Sequence, residues 1–200
     1  AHRLHYIPNG IDCERFSPSD HSRSERDQAN VVIGTVAALR QEKNVARLVQ
    51  AVSLIACDSW RLVIVGEGSE RCHLEDLVGA LGLAERVEFT GHRADPAPIY
   101  RTFDVFALTS DTEQMPYTIL EAMASGCPVV ATDVGDIKSM VATENVDFIV
   151  ACCKTEVASA LRRLIEDRNL RHLVGQANRD IACRFYEKSS MFQAFGELYG

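Results

Sequence analysis

The chain has 200 residues, of which 46% are hydrophobic and 24% are charged, a composition typical of a globular protein with a full core. Its formal net charge of −7 argues against a nucleic-acid-binding protein, because the phosphate backbone requires a basic surface. No apolar run approaches the roughly 18 residues that a transmembrane helix needs, so the sequence predicts no membrane span.

The chain has seven cysteines, and their odd number and spacing suit neither a disulfide framework nor a metal site. No Cys-x-x-Cys pair occurs, and Cys152 and Cys153 are adjacent. We therefore expect a protein of the reducing cytoplasm that binds no metal. Because the sequence begins without Met, we interpret it as a piece of a longer protein.

Short β-branched runs alternate with amphipathic segments along most of the chain. A short apolar piece and a polar tract, typical of an exposed linker, occupy residues 1–30. The predicted strands are residues 31–39, 60–68, 86–90, 103–108, 128–132 and 147–151. The predicted helices are residues 45–55, 71–83, a short one around 99–100, 116–125, 137–141, 154–166, 169–184 and 189–199. This alternation predicts an α/β fold, a Rossmann-like doubly wound parallel sheet of about six strands with helices on both faces.

Ligands of such sheets bind beyond the carboxyl ends of the strands. The loops expected at that edge are residues 37–43, 66–70, 91–95, 109–116 and 132–136. In the first loop, Arg40 and Lys43 suit a phosphate clamp, although a lysine at a helix start is more often solvated. Gly66 and Gly68 lack the third glycine of the dinucleotide fingerprint, but they permit close approach of a base or ribose.

Two carboxylates, Glu113 and Glu121, lie in the stretch of residues 108–130. Glu113 precedes a predicted helix that begins at Pro116 and ends before Gly126, a residue suited to the left-handed C-terminal position. Glu121 lies inside this helix among apolar neighbours, and a buried carboxylate requires a partner. The pattern leaves open whether that partner is a structural ion pair or a ligand hydroxyl.

Several motifs occur in a fixed order along the chain. They are Pro8-Asn9-Gly10-Ile11-Asp12 with Phe16, Glu42-Lys43-Asn44, Gly66-Glu67-Gly68, Val87-x-Phe89-x-Gly91, and Glu113 with Glu121 followed by Ala122-Met123-Ala124-x-Gly126-x-Pro128. Together they resemble the donor-binding C-terminal domain of retaining glycosyltransferases of family 4, one half of a GT-B enzyme. The resemblance covers essentially the whole chain, and the two-glutamate motif is its most specific part.

The resemblance implies an enzyme that transfers a glycosyl group from a nucleotide sugar, such as a UDP-, GDP- or ADP-sugar, to an acceptor hydroxyl with retention. Lys43 would hold the diphosphate, Glu113 would approach the donor sugar, and Glu121 would accept hydrogen bonds from the ribose hydroxyls. Lys43 and Glu113 are the implied catalytic residues. Further donor contacts are implied for Gly66, Gly68, His92, Arg93, Gln114, Met115, Pro116 and Tyr117. The resemblance implies neither a metal ion nor a cofactor besides the donor substrate.

Two departures from the family pattern bear on this site. The family often has an arginine five positions before the lysine, where this chain has Ala38, and Arg40 could substitute for it. The usual Gly-Phe after the first glutamate is Gln114-Met115, which alters the sugar pocket.

The resemblance also implies a domain plan. Residues 1–30 would be an interdomain segment and linker, residues 31–184 the nucleotide-sugar-binding domain, and residues 185–200 a helix packing toward an N-terminal domain. That domain would bind the acceptor, a sugar or a lipid-linked glycan, so this chain alone should bind nucleotide but transfer little. The expected location is the cytoplasm, with peripheral attachment at the inner face of the membrane left open.

The alternatives are a sugar-nucleotide epimerase or a phosphorylase of the same architecture, and a non-catalytic nucleotide-binding module with a decayed site. The epimerase does not share the motif order, and the phosphorylase would need a pyridoxal lysine context. The intact Lys43, Glu113 and Glu121 argue against decay, whereas Ala38 argues mildly for it.

Overall fold

The computed structural model describes residues 5–18 and 30–199. One parallel sheet is formed by β1 (Val31–Val36), β2 (Trp60–Val65), β3 (Val87–Gly91), β4 (Val105–Leu108), β5 (Val129–Thr132) and β6 (Ile149–Val150). The strand order is β3-β2-β1-β4-β5-β6, so the order reverses between β1 and β4. This arrangement is that of a doubly wound sheet.

Helices cover both faces of the sheet. They are α1 (Val45–Val52), α2 (Arg71–Ala80), α3 (Ala97–Tyr100), α4 (Tyr117–Ala124), α5 (Ile137–Met140), α6 (Lys154–Glu166), α7 (Arg168–Phe185) and α8 (Lys188–Tyr199). Apolar residues of α1, α2 and α6 fill one core, and those of α3, α4 and α5 fill the other. The predicted fold class is therefore confirmed. None of the helices within residues 5–18 and 30–199 combines the length and apolar character of a membrane span.

Helix α4 is bounded much as its sequence predicts. Pro116 has an extended backbone with ψ of 127°, so it is the N-cap and the helix begins one residue later than expected. At the other end Gly126 has φ of +70°. The amide groups of Gly126 and Cys127 donate to the carbonyls of Met123 and Ala122 at 2.8 and 2.9 Å, which closes the helix with a Schellman motif.

The first described segment, residues 5–18, packs on the sheet domain. The Ile11 amide donates to the Tyr186 carbonyl at 2.6 Å, and the Lys188 amide donates to the Ile11 carbonyl at 2.9 Å. Arg179 donates to the carbonyls of Cys13 and Phe16 at 3.1 and 2.9 Å. These bonds join the segment to α7 and α8. Most of the predicted polar linker, residues 19–29, lies outside the described residues.

Two fully buried asparagines, Asn145 and Asn178, supply hydrogen bonds beside β5. Asn145 accepts from the Val129 amide at 2.8 Å and donates to the Val129 carbonyl at 2.7 Å. Asn178 donates to Asn145 Oδ1 at 2.8 Å and to the Cys127 carbonyl at 3.0 Å, and it accepts from the Ala142 amide at 3.1 Å. The pair therefore satisfies backbone groups that water does not reach.

We expect Asn178→Leu to lower the free energy of unfolding by about 2–4 kcal/mol, because it leaves buried backbone groups without partners. Urea denaturation measures this loss. Asn169→Leu, at an exposed position of the same helix, is the matched control and should change stability little. Equal effects of the two substitutions would contradict a stabilising role of the buried pair.

Candidate functional site

The loops after β1 and β4 meet where the strand order reverses. The Asp111 amide donates to the Glu42 carbonyl at 2.8 Å, and the Asp111 carboxylate accepts from Asn44 Nδ2 at 3.0 Å. Arg47 forms an ion pair with Asp111 and donates to the Thr109 carbonyl at 2.8 Å. Asn44 has φ of +41°, a left-handed conformation that asparagine tolerates better than most residues, and it caps α1. These bonds hold the two loops side by side.

Within this junction the structure brings together the two predicted catalytic residues. Lys43 Nζ lies 2.7 Å from Glu113 Oε1, although the residues are 70 positions apart. The Ser110 hydroxyl donates to the same oxygen at 2.7 Å. The side chain of Glu113 is 8% exposed and that of Lys43 is 26% exposed. A nearly buried carboxylate thus has both a cation and a hydroxyl as partners, as its burial requires.

A cavity of about 440 Å³ adjoins this ion pair. Its lining comes from residues 5–18 and from the loops after β4 and β5, and consists of Tyr6, Ile7, Asn9, Glu113, Gln114, Met115, Gly135 and Asp136. Gly135 has φ of +59°, and a Cβ there would lie 2.4 Å from the Glu113 carbonyl oxygen. The Asp136 amide donates to the Gln114 carbonyl at 2.9 Å. Glycine at position 135 therefore allows the loop after β5 to close against the loop after β4.

The residues just before α4 form another part of this cavity. Asn9 Nδ2 donates to the Met115 carbonyl at 3.0 Å, and the Asn9 amide lies 3.3 Å from Met115 Sδ. Gln114 and Tyr117 are exposed. The first amide groups of a helix have no acceptor within the helix and carry its positive dipole end, so this loop offers donors to an anion.

Glu121 lies further along α4, and its partner is a tyrosine. The Tyr100 hydroxyl donates to Glu121 Oε2 at 2.7 Å. Tyr100 is fully buried and Glu121 is half-buried. Burial raises the pKa of Glu121 above its usual value, and the Tyr100 hydrogen bond and the charge of Arg15 lower this pKa in part. The carboxylate predicted to need a partner therefore has one within the chain.

The two glycines after β2 let the loop after β1 approach closely, and their predicted donor contact stays a prediction. A Cβ on Gly66 would lie 1.9 Å from the Ala37 carbonyl oxygen, and one on Gly68 would lie 2.2 Å from that of Leu39. Gly66 also has φ of +139°, a conformation that favours glycine. In this structure, the absence of side chains at Gly66 and Gly68 allows the loop after β1 to pack against them.

The loop after β3 presents its side chains to solvent. His92 and Arg93 are exposed. Further along the loop, Asp95 forms an ion pair with Arg15 at 2.8 Å, which connects the loop to the N-terminal segment. The contact of this loop with a base stays a prediction.

Arg40 lies beside a different cavity. Its side chain is exposed, and it lines a cavity of about 260 Å³ together with Leu39, Gln41, Asn44, Val45, Ala46, Glu70, His73, Leu74 and Asp111. This cavity shares no lining residue with the one beside Glu113, within the described parts of the chain. Lys43 contacts Glu113, whereas Arg40 lines this separate cavity, and its predicted contact with the donor stays a prediction.

Three residues near the site are not among the individual site residues predicted from the sequence, although two of them lie in loops expected at the ligand edge. Tyr100, Ser110 and Asp136 come close to the predicted residues through the packing of separate loops. Only Tyr100 gives a usable signal in the sequence, because a tyrosine in a buried segment needs a partner for its hydroxyl. In the described chain, no group of three His, Cys, Asp or Glu residues could hold a metal ion.

Proteins of one family are similar to this chain. The family model described as "Glycosyl transferases group 1" matches residues 30–167. A GDP-mannose-dependent alpha-mannosyltransferase of Mycobacterium tuberculosis is 30% identical over 174 residues, which are 83% of this chain and 44% of that protein.

Solved structures similar to this chain include those of HepE and of a domain of LpcC. HepE from Anabaena in complex with UDP has a TM-score of 0.87 at 26% identity, over 96% of this chain and 56% of HepE. HepE has also been solved with UDP-glucose. The C-terminal domain of the group 1 family protein LpcC from Francisella tularensis has a TM-score of 0.77 at 26% identity, over 89% of this chain and 99% of that domain.

This chain spans about half the length of the mannosyltransferase and of HepE. The family match covers more than half of the chain, and it includes Lys43, Glu113 and Glu121. The chain belongs to the group 1 glycosyl transferases.

Proposed function

We propose that this chain is the nucleotide-sugar-binding domain of a retaining glycosyltransferase of family 4, one half of a GT-B enzyme. The observation that carries the proposal is the position of three charged residues at the carboxyl edge of the sheet. Lys43 and Glu113 form an ion pair before α4, and Glu121 lies within α4. The family membership and the UDP-glucose bound by HepE support the same ligand class.

In the proposed reaction, the acceptor hydroxyl oxygen bonds to the sugar's anomeric carbon and the bond between that carbon and the diphosphate breaks. Negative charge develops on the leaving diphosphate, which takes up the hydroxyl proton. Lys43 supplies a positive charge for this anion, and the amide groups at the start of α4 supply hydrogen bonds. Glu113 lines the cavity in which the donor sugar would lie, and Glu121 would accept hydrogen bonds from the ribose hydroxyls. The proposal requires no metal ion at the diphosphate.

The acceptor would be a sugar or a lipid-linked glycan bound mainly by an N-terminal domain, at a cytoplasmic site. Helix α8 exposes an aromatic surface that suits packing against such a domain. Phe192 is 63% exposed and Tyr199 is 82% exposed, and Tyr199 stacks on Phe195 with ring centroids 6.4 Å apart. On this proposal, the chain without the N-terminal domain binds the donor but transfers little.

The main alternative is a nucleotide-binding module without activity. The Lys43–Glu113 pair argues against it, because a decayed site has no need to keep a nearly buried charge pair. The relatives differ in their nucleotide, because the mannosyltransferase is named for GDP-mannose and HepE was solved with UDP. Binding measurements are therefore needed to identify the base of the donor.

Calorimetric titration with UDP, GDP and ADP tests the proposed function. We expect at least one of them to bind with a dissociation constant below about 1 mM, which corresponds to roughly −4 kcal/mol. The sugar conjugate of that nucleotide should also bind. The affinity for the nucleotide should be the same in EDTA and in Mg²⁺. Absence of binding by all three at millimolar concentration would overturn the proposed donor-binding function.

Lys43→Gln should weaken nucleoside diphosphate binding by about 10- to 100-fold, because a hydrogen bond to a charged group contributes about 1.5–3 kcal/mol. Arg40→Gln is the control, because it removes a neighbouring positive charge by the same kind of substitution. Since Arg40 lines the other cavity, we expect its substitution to change affinity less than about twofold. A large loss with Arg40→Gln would instead show that Arg40 replaces the family's arginine.

Glu121→Ala and Glu113→Ala should affect different parts of the donor. We expect Glu121→Ala to weaken binding of the free nucleotide about tenfold or more, because the ribose loses a charged acceptor. Glu113→Ala should mainly reduce the preference for the sugar conjugate over the free nucleotide. Titration of both ligands, with melting temperatures to confirm folding, measures this, and the opposite pattern would overturn the assignment.

A further inference from the structure

The ring of Tyr100 is held rigidly in the core below α4. It is fully buried, and its centroid lies 5.8 Å from that of Phe16 and 5.6 Å from those of Phe103 and Phe106. The Cys127 thiol donates to the backbone carbonyl of Tyr100 at 3.7 Å. With the ring enclosed on these sides, the position of the hydroxyl is fixed by packing.

The hydroxyl of Tyr100 is directed at Glu121. Its distance to Glu121 Oε2 is 2.7 Å, whereas its distance to the Thr118 carbonyl is 3.5 Å, at the limit of a hydrogen bond. A phenol donates only one hydrogen, so the carboxylate receives it. An ionised carboxylate offers about four acceptor positions, and this bond occupies one of them.

The charged and titratable groups that face Glu121 come from two other elements. Tyr100 belongs to α3, and Arg15 belongs to the N-terminal segment and pairs with Asp95. Burial raises the pKa of Glu121, and both neighbours oppose that rise. The Tyr100 hydroxyl therefore favours the ionised carboxylate, which is the better acceptor for ribose hydroxyls.

We infer that Tyr100 is a positioning residue of the donor site, whose hydroxyl orients the Glu121 carboxylate to accept hydrogen bonds from the ribose of the nucleotide. This inference rests on the proposed role of Glu121. Tyr100 itself contacts no ligand, since its side chain is fully buried beneath the carboxylate.

The test compares the wild-type chain with Tyr100→Phe, which keeps the ring and removes the hydroxyl. The ligands are UDP, GDP or ADP, whichever the chain binds, and the 2′,3′-dideoxy form of the same nucleotide. We expect Tyr100→Phe to weaken binding of the ribonucleotide about five- to tenfold. Binding of the dideoxynucleotide should change less than about twofold, because it lacks the hydroxyls that Glu121 would bind.

The pH dependence of affinity gives a second measure. Ribonucleotide affinity should fall as the pH decreases through the raised pKa of Glu121, since the protonated carboxyl is a poorer acceptor. Removing the tyrosine hydrogen bond raises this pKa further, so the Tyr100→Phe variant should lose affinity at a higher pH than the wild type. Dideoxynucleotide affinity should not show this shift.

Phe103→Leu serves as the control for loosened packing. It disturbs the same aromatic cluster without removing the hydroxyl, so it should lower the melting temperature and leave the ribonucleotide preference unchanged.

If the wild type prefers the ribonucleotide and Tyr100→Phe keeps that preference and the pH midpoint, the inference is overturned. If the nucleotide binds but the wild type shows no such preference, the ribose contact of Glu121 fails, and this inference fails with it. If no nucleotide binds, the proposed function itself fails.

Discussion

The reversal of strand order between β1 and β4 is the constraint on which the site depends. At this point the two loops leave neighbouring strands and open a crevice at the sheet edge. Asp111 holds the loops together through Glu42, Asn44 and Arg47. The Lys43–Glu113 pair completes the junction. These bonds join the loops directly and hold Lys43 and Glu113 next to each other.

The two carboxylates of the site have different surroundings, and this difference suits different roles. Glu113 is paired with a cation and also accepts from Ser110. Glu121 accepts a hydrogen bond from the neutral Tyr100 hydroxyl, while Arg15 acts on it through its positive charge. A carboxylate that is paired with a cation, as Glu113 is with Lys43, suits a fixed position in the wall of the proposed diphosphate and sugar pocket. A half-buried carboxylate with free acceptor positions is ready to gain hydrogen bonds from a ligand.

The N-terminal segment contributes to both parts of the site. Asn9 holds the loop before α4 through the Met115 carbonyl, and Arg15 brings charge toward Glu121. Arg179 anchors the same segment to α7. The candidate site is therefore in contact with residues 5–18, which belong to the predicted interdomain segment and linker.

The sequence by itself determined the features that depend on local pattern. Alternating strand and helix signals predict the parallel sheet, and Gly126 predicts the end of α4, because both follow from backbone conformation and burial over short stretches. Only the tertiary structure decided which cation faces Glu113, what Glu121 bonds to, and what approaches Gly66. Lys43 and Glu113 are 70 positions apart, and Tyr100 and Glu121 are 21 apart. Such contacts depend on how separate loops and helices pack, and short-range patterns do not specify side-chain direction across that distance.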